Sequence, residues 1–551
     1  MLSHNPPTLT TPGGWEELLQ PSRRAALEAI LPAYVHPRRW FGAKTRHIAQ
    51  AQVVDTIPLS GAAGTAYFTL VRLSYADGGS DTYVLPLTFA PHERVAHWLR
   101  DVPHAVVAVV ESGNGDGVLF DALFDPGFCA ELLDLIAGRG RVTGDVGAFQ
   151  ATSTDAFAAL RGDPAAPLAP KVGTAEQSNT SIIYGGRLIM KVFRKLEPGI
   201  NPDLEIGVFL TDRVPFEHVP PAAGTIEYRS AGHDAAGLAF LQGFVPNKGD
   251  AWSFTLREIG QTFQDTLREP PPPLDDRLQH VSLLDLVGQE PPDSARSVVE
   301  SYLASARLLG QRTAELHLAL AADPNDPDFA TVPFDPAFRE AALASMRGRA
   351  ARAFQTLNLR CDSLPEPARS AGQQIMGLEE IFLMRLRAAF DEPINAVRAR
   401  IHGDYHLGQV LYTGDDFYII DFEGEPARPM SERRMKSSPL QDVAGMLRSL
   451  HYAPYAVLMG QAPGITFEPA EAQVLEPWAR FWHRWTSAAF LQSYLETVGR
   501  SPLIPASPEE LQRLLDAYLL DKALYEMAYE LNNRPSWVRI PIEGILQLVG
   551  A

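Results

Sequence analysis

The chain has 551 residues, 46% hydrophobic and 21% charged, a balance that fits a globular protein of two or three domains and excludes disorder as the default. Its net charge of −18 speaks against a nucleic-acid partner, since such binding needs clustered Lys and Arg. Two cysteines far apart, Cys129 and Cys361, exclude a disulfide framework and a paired-cysteine metal site. With no leader-like start and no run of about 18 apolar residues, the expected location is the cytoplasm.

Residues 66–73 and 82–87 are β-rich runs separated by the turn signal Asp77-Gly78-Gly79, which predicts a small antiparallel sheet. From Pro126 to about Leu160 the pattern reads as helical. Residues 181–184 and 188–193 read as strands around Gly185-Gly186-Arg187. Asn201-Pro202-Asp203-Leu204-Glu205 is a helix start, with a capping amide, proline at the first helical position and acids where the helix dipole favours them. Pro and Gly break residues 243–250, as a connector between lobes would. Pro270 to Pro273 form a stiff connector between helices. Amphipathic patterns at 295–322, 336–358, 366–390, 470–498 and 508–533 predict a helical C-terminal half, and no solenoid repeat is apparent.

The chemistry concentrates in His402-Gly403-Asp404-Tyr405-His406-Leu407-Gly408-Gln409 and, after a predicted hairpin, Ile419-Ile420-Asp421-Phe422-Glu423. A phosphoryl-transfer centre needs a carboxylate for the acceptor hydroxyl, an amide metal ligand five residues on, and a second carboxylate at a strand end. Asp404, Gln409 and Asp421 occur in that order. Glu423 and Glu425 add to a like-charge cluster that a divalent cation would relieve, and Mg²⁺ suits the oxygen ligands. His402 is read as holding the loop rather than handling protons. Lys191 lies in an apolar strand, where an ammonium must face a ligand or a carboxylate, and Glu205 is the expected partner. The loop Gln177-Ser178-Asn179-Thr180 stands where a kinase covers its nucleotide, but it is not Gly-x-Gly-x-x-Gly. No Walker-type Gly-Lys-Ser/Thr occurs, so the reading favours a bilobal kinase plan over a P-loop NTPase.

Several runs taken together resemble a known family: residues 401–411, Asp421-Phe422-Glu423-Gly424-Glu425-Pro426-Ala427-Arg428-Pro429, 438–449, Arg39-Trp40-Phe41-Gly42, 176–181, 201–205 and Tyr529-Glu530-Leu531-Asn532-Asn533-Arg534-Pro535. They look like bacterial maltokinases, over nearly the whole chain. The resemblance implies an α+β, bilobal, protein-kinase-like fold of the aminoglycoside phosphotransferase type. It would have an N-terminal cap at 1–105, an antiparallel-sheet N-lobe at 106–247, and a mainly helical C-lobe at 248–551.

It also implies transfer from ATP to maltose, giving maltose 1-phosphate for glycogen-type synthesis. Asp404 would be the catalytic base, Gln409 and Asp421 the Mg²⁺ ligands, and Lys191 the phosphate-binding lysine, with Glu205 and the 177–180 loop in the nucleotide site. Tyr525 and Tyr529, four residues apart and so on one helix face, read with Glu526 and Asn533 either as a sugar wall or as core and capping residues. Tyr405, His406 and Arg428 join the sugar candidates because they flank the catalytic loop. Trp40 and Lys44 either reach the nucleotide lobe or pack within the cap. Two alternatives stay open: a kinase for another sugar or amino sugar on the same scaffold, and a silent partner subunit of trehalose synthase.

Overall fold

A computed structural model describes residues 6–61, 64–95, 102–173, 178–274, 281–426 and 428–550. The chain forms two compact units, one of residues 1–213 and 220–246, the other of 214–219 and 247–551.

The first unit contains two seven-stranded sheets. One is built on the long strands Ile48–Gly61, Gly64–Tyr75 and Ser80–Pro91, an antiparallel meander. Gly78 and Gly79, with φ of 97° and 71°, make the tight turn between the last two, a backbone shape that costs glycine nothing. Val53, Val71, Leu73 and Tyr83 from this sheet bury against Leu27, Leu31 and Val35 of the helix Ala25–Val35. Trp40 is buried here, with the Arg194 guanidinium 5.3 Å from its ring, and Lys44 donates to the His36 carbonyl. Both are therefore engaged inside this unit.

The other sheet is wholly antiparallel, in the order Arg141–Thr143, Gly147–Ser153, Ala222–Ser230, Ala236–Gly243, Leu188–Phe193, Asn179–Tyr184 and Pro170–Val172. Alternation turns Leu188, Met190 and Val192 into a core shared with Phe128, Leu132 and Ile136 of the helix Pro126–Ala137. Lys191, between them, takes the opposite face. The helix expected from Pro126 to about Leu160 is overturned beyond Ala137. Residues 147–153, Gly-Ala-Phe-Gln-Ala-Thr-Ser, form a strand paired with Ala222–Ser230. Its alanines read as helical, but tertiary pairing decides strands more than local preference does.

The second unit is mainly helical. Helices Glu300–Leu320, Pro336–Arg360, Pro469–Val498 and Pro508–Asn533 follow the expected windows. The window 366–390 is two helices, Ala368–Met376 and Glu379–Phe390, parted at Gly377. Helix Leu440–Leu458, buried nearly all round, lies outside the expected windows. The hairpin Val410–Tyr412 with Phe417–Ile419 forms as expected. No helix among the described residues is long and apolar enough to cross a membrane.

Candidate active site

In the first unit, Asn201 caps the helix Pro202–Val208, its Oδ1 accepting the Asp203 N–H at 2.8 Å. That cap brings Asp203 close to the Lys191 strand. The Lys191 ammonium donates to Asp203 Oδ2 at 3.1 Å, so the acid shown at the lysine stands two residues before the expected Glu205. Asp203 is only 1% exposed, and a carboxylate so buried needs a cation beside it. In the loop at the sheet's edge, Gln177 lies outside the described residues. Ser178 is exposed, Asn179 opens its strand, and the Thr180 hydroxyl accepts from Arg194 Nε at 2.8 Å. Arg194 also bonds the Asp121 carboxylate at 2.6 Å.

In the second unit, the catalytic-loop segment is held from beneath by Asp442, near the start of the helix Leu440–Leu458. Its carboxylate accepts the backbone N–H of His402 at 2.7 Å and of Gly403 at 2.9 Å, and faces His317 Nε2 at 3.2 Å. Burial pushes the Asp442 pKa up, but the His317 hydrogen bond, the neighbouring imidazoles and the Gly403 N–H more than offset this and hold it below the usual carboxylate value. His402 is buried and bonds the Ile420 carbonyl through Nε2 at 2.9 Å, so its Nδ1 accepts the Asp404 N–H at 3.4 Å. These are the bonds of a positioning residue, with the ring tying the Asp404 loop to the strand end that leads into Asp421. Gly445 completes the support. A Cβ there would meet the Tyr405 carbonyl oxygen at 2.5 Å, so only glycine lets this helix lie against the loop.

The hairpin returns Asp421 to that loop, and Gln409 Nε2 donates to Asp421 Oδ2 at 2.7 Å. Asp421 has φ of 69°, a left-handed conformation that Asp adopts at a cost and that recurs at functional sites. A carboxylate oxygen of Asp421 and one of Glu423 lie within 4.8 Å of each other. Such an oxygen-only donor set fits a hard divalent cation.

Asp404 faces Lys522, whose ammonium is 3.5 Å from Oδ1. Burial would lower the lysine's pKa, but Asp404, Glu425 and Glu526 together raise it, so the ammonium keeps its charge. Lys522 also stands in the wall of a cavity of about 530 Å³, a size typical of small-molecule sites. Of the expected sugar residues, His406, Tyr525, Glu526 and Tyr529 line this cavity. Burial holds His406 below the ordinary histidine value and is the main cause that pushes Tyr525 up to about 12.

The remaining three expected sugar residues do not line the larger cavity. Tyr405 is 2% exposed, with its hydroxyl 2.9 Å from Thr313 Oγ1. Arg428 bonds Glu425 at 2.6 Å, and Arg428 and Tyr405 line a smaller cavity together with Asp404, Lys522 and Tyr525. Asn533 is exposed and donates to the Tyr529 carbonyl at 2.9 Å.

Sequence reasoning missed Asp203, Asp442, Lys522 and Arg448, the last of which stands beside Glu526 with Nε donating at 2.8 Å. Lys522 carried a usable signal, being three and four residues before Tyr525 and Glu526 on one helix face. The other three are distinguished only by what they touch.

Comparison with known proteins bears on the fold. Residues 34–125 match the maltokinase N-terminal cap domain. A glucosamine kinase of Mycolicibacterium smegmatis is 25% identical over 384 residues, covering 67% of this chain and 76% of that protein. One of Streptacidiphilus jiangxiensis is 23% identical over 404 residues, covering 72% and 78%. The solved structure of a glucosamine kinase in complex with glucosamine, ADP and inorganic phosphate aligns over 98% of this chain and 100% of its own, with a TM-score of 0.59 and 19% identity. The chain thus shares its α+β fold with that solved glucosamine kinase, and its residues 34–125 are similar to the maltokinase N-terminal cap domain.

Proposed function

We propose that the protein is a sugar kinase that moves the γ-phosphoryl group of ATP to a sugar hydroxyl, with maltose as acceptor and its anomeric hydroxyl as nucleophile. The observation that carries the reading is Asp404. It stands on a loop braced by Asp442, lines a small cavity, and faces Lys522, which also stands in the wall of the larger cavity of aromatic rings and hydrogen-bonding groups. Phosphoryl transfer passes through a loose transition state, so the protein contributes alignment and charge neutralisation more than covalent chemistry. The acceptor O–H donates to the Asp404 carboxylate, which orients the oxygen and takes the proton as the new P–O bond forms and the bond to ADP breaks. Lys522 keeps the carboxylate aimed.

Lys191, held by Asp203, would grip nucleotide phosphates. Gln409 and Asp421, with Glu423 beside them, would hold Mg²⁺. When bound, that ion neutralises charge on the phosphates.

The names of the sequence relatives support a second reading, an amino-sugar kinase on the same site. A transfer assay with ATP and maltose, glucose, trehalose or glucosamine, with the product located by NMR, separates the two. Maltose 1-phosphate is the expected product. Transfer to glucosamine with none to maltose overturns the maltose assignment. The trehalose synthase partnership belongs to the maltose reading and is tested by co-purification of the two proteins.

A further inference from the structure

We infer that the cavity wall is built for an uncharged acceptor, and that Arg448 makes it so by neutralising Glu526 from behind. This rests on the cavity being the acceptor site. Glu526 is a carboxylate in the wall that an ammonium group could use, but the Arg448 guanidinium already stands against its Oε2, Nε donating at 2.8 Å and Nη2 paired at 2.7 Å. Glu530 is likewise held by Arg534 at 2.7 and 3.0 Å, and Asp404 faces Lys522 at 3.5 Å.

The ring faces tell the same story. An aromatic face can bind a cation nearly as a carboxylate does, yet these faces carry resident ones. Lys522 lies 5.0 Å from the Tyr525 ring, Arg534 5.7 Å from Tyr529 and 4.5 Å from Trp537, and Arg448 5.7 Å from Tyr452. A protonated amino sugar would bring a further cation to a wall whose carboxylates and rings already carry them, whereas a neutral sugar meets no such repulsion and can donate hydroxyls to the paired carboxylates.

Arg448 is the hardest of these cations to move. It is 3% exposed, and a guanidinium at that depth depends on its carboxylate. The helix Arg539–Val549 makes room for it with a glycine, since a Cβ at Gly544 would lie 2.1 Å from Arg448 Nη1. Arg448 is thus a specificity-determining residue that acts through Glu526.

The test compares kcat/KM for maltose, glucose and glucosamine in the wild type, Arg448→Met and Arg448→Lys. The wild type is expected to prefer the neutral sugars. Arg448→Met frees Glu526 and shifts the ratio roughly tenfold or more toward glucosamine, mainly through its KM, while Arg448→Lys keeps the neutral preference. Glu526→Gln is the companion if Arg448→Met does not fold, and it moves the ratio the other way by leaving an unpaired cation in the wall. A ratio that the Met and Gln changes leave in place overturns the inference alone, whereas a wild type that prefers glucosamine overturns it together with the maltose assignment. ATP binding without transfer to any sugar overturns the acceptor-site reading and this inference with it.

Discussion

The loop from His402 to Gln409 and the wall around Tyr525 and Tyr529 lie in the same helical unit and are built on opposite plans. Every backbone bond described at the start of the loop ends on a buried partner: Asp442 takes two N–H groups, His402 a third, and Gly445 leaves no slack beneath. The wall instead surrounds about 530 Å³ of open space and pairs its charges with one another. Chemistry that tolerates little misalignment is preorganised by hydrogen bonds, whereas recognition rests on faces whose energies are individually small. The two regions should therefore fail differently when mutated.

The largest effect is expected at the loop. Asp404→Asn should lower turnover about 10²–10⁴-fold while nucleotide binding, measured by calorimetry, stays near the wild-type value. Turnover within a few-fold of wild type would remove Asp404 from the mechanism. Asp442→Ala should cost about 3 kcal/mol of stability in urea unfolding, because two buried N–H groups and His317 lose their acceptor, and kcat should fall with it. A variant as stable as the wild type would show that the loop is held by something else.

Behind the wall, His451 and His483 are buried, their rings 4.8 Å apart, and both are held below the ordinary histidine value chiefly by burial, His483 at about 3. Both take up protons near pH 6.5 in the unfolded chain. The unfolded state therefore binds more protons below that pH, and stability should fall as pH drops from 6.5 toward 3, by up to about 1.4 kcal/mol per pH unit for each histidine. His483→Phe should flatten the slope of urea-unfolding stability between pH 7 and 5, and an unchanged slope would mean the ring protonates freely in the fold.

The smallest effect is expected at the open end of the wall. Tyr529→Ala should weaken the acceptor by about 1 kcal/mol, seen as a several-fold rise in the sugar's KM with the KM for ATP unmoved. A change in the KM for ATP instead would put this ring outside the acceptor site.

Legibility along the chain follows the same division. Asp404, Gln409 and Asp421 could be singled out because a short loop and a tight hairpin keep their spacing nearly independent of the rest of the chain. The Asn201-Pro202 helix start was readable for the same local reason. Residues 147–153 were misread because alanine favours helix until a neighbouring strand claims the backbone. Helix Leu440–Leu458 was not read as a helix, and Pro454 within it is a residue that ordinarily ends one. Asp203 stood in a quoted motif, but nothing local says that its carboxylate, and not only Glu205 two residues later, meets Lys191.

The sequence by itself determined the residues that point to a reaction class, the hairpin that carries them and the helical character of the second half, because each depends on residues within a turn or two of one another. Only the tertiary structure decided which carboxylates meet which cations. Arg448 with Glu526, Asp442 with the His402 and Gly403 amides, and Lys522 with Asp404 are separated by 78, 40 and 39, and 118 positions. Contacts across such distances are set by how whole helices pack, and it is these contacts that decide the charge an incoming sugar would meet.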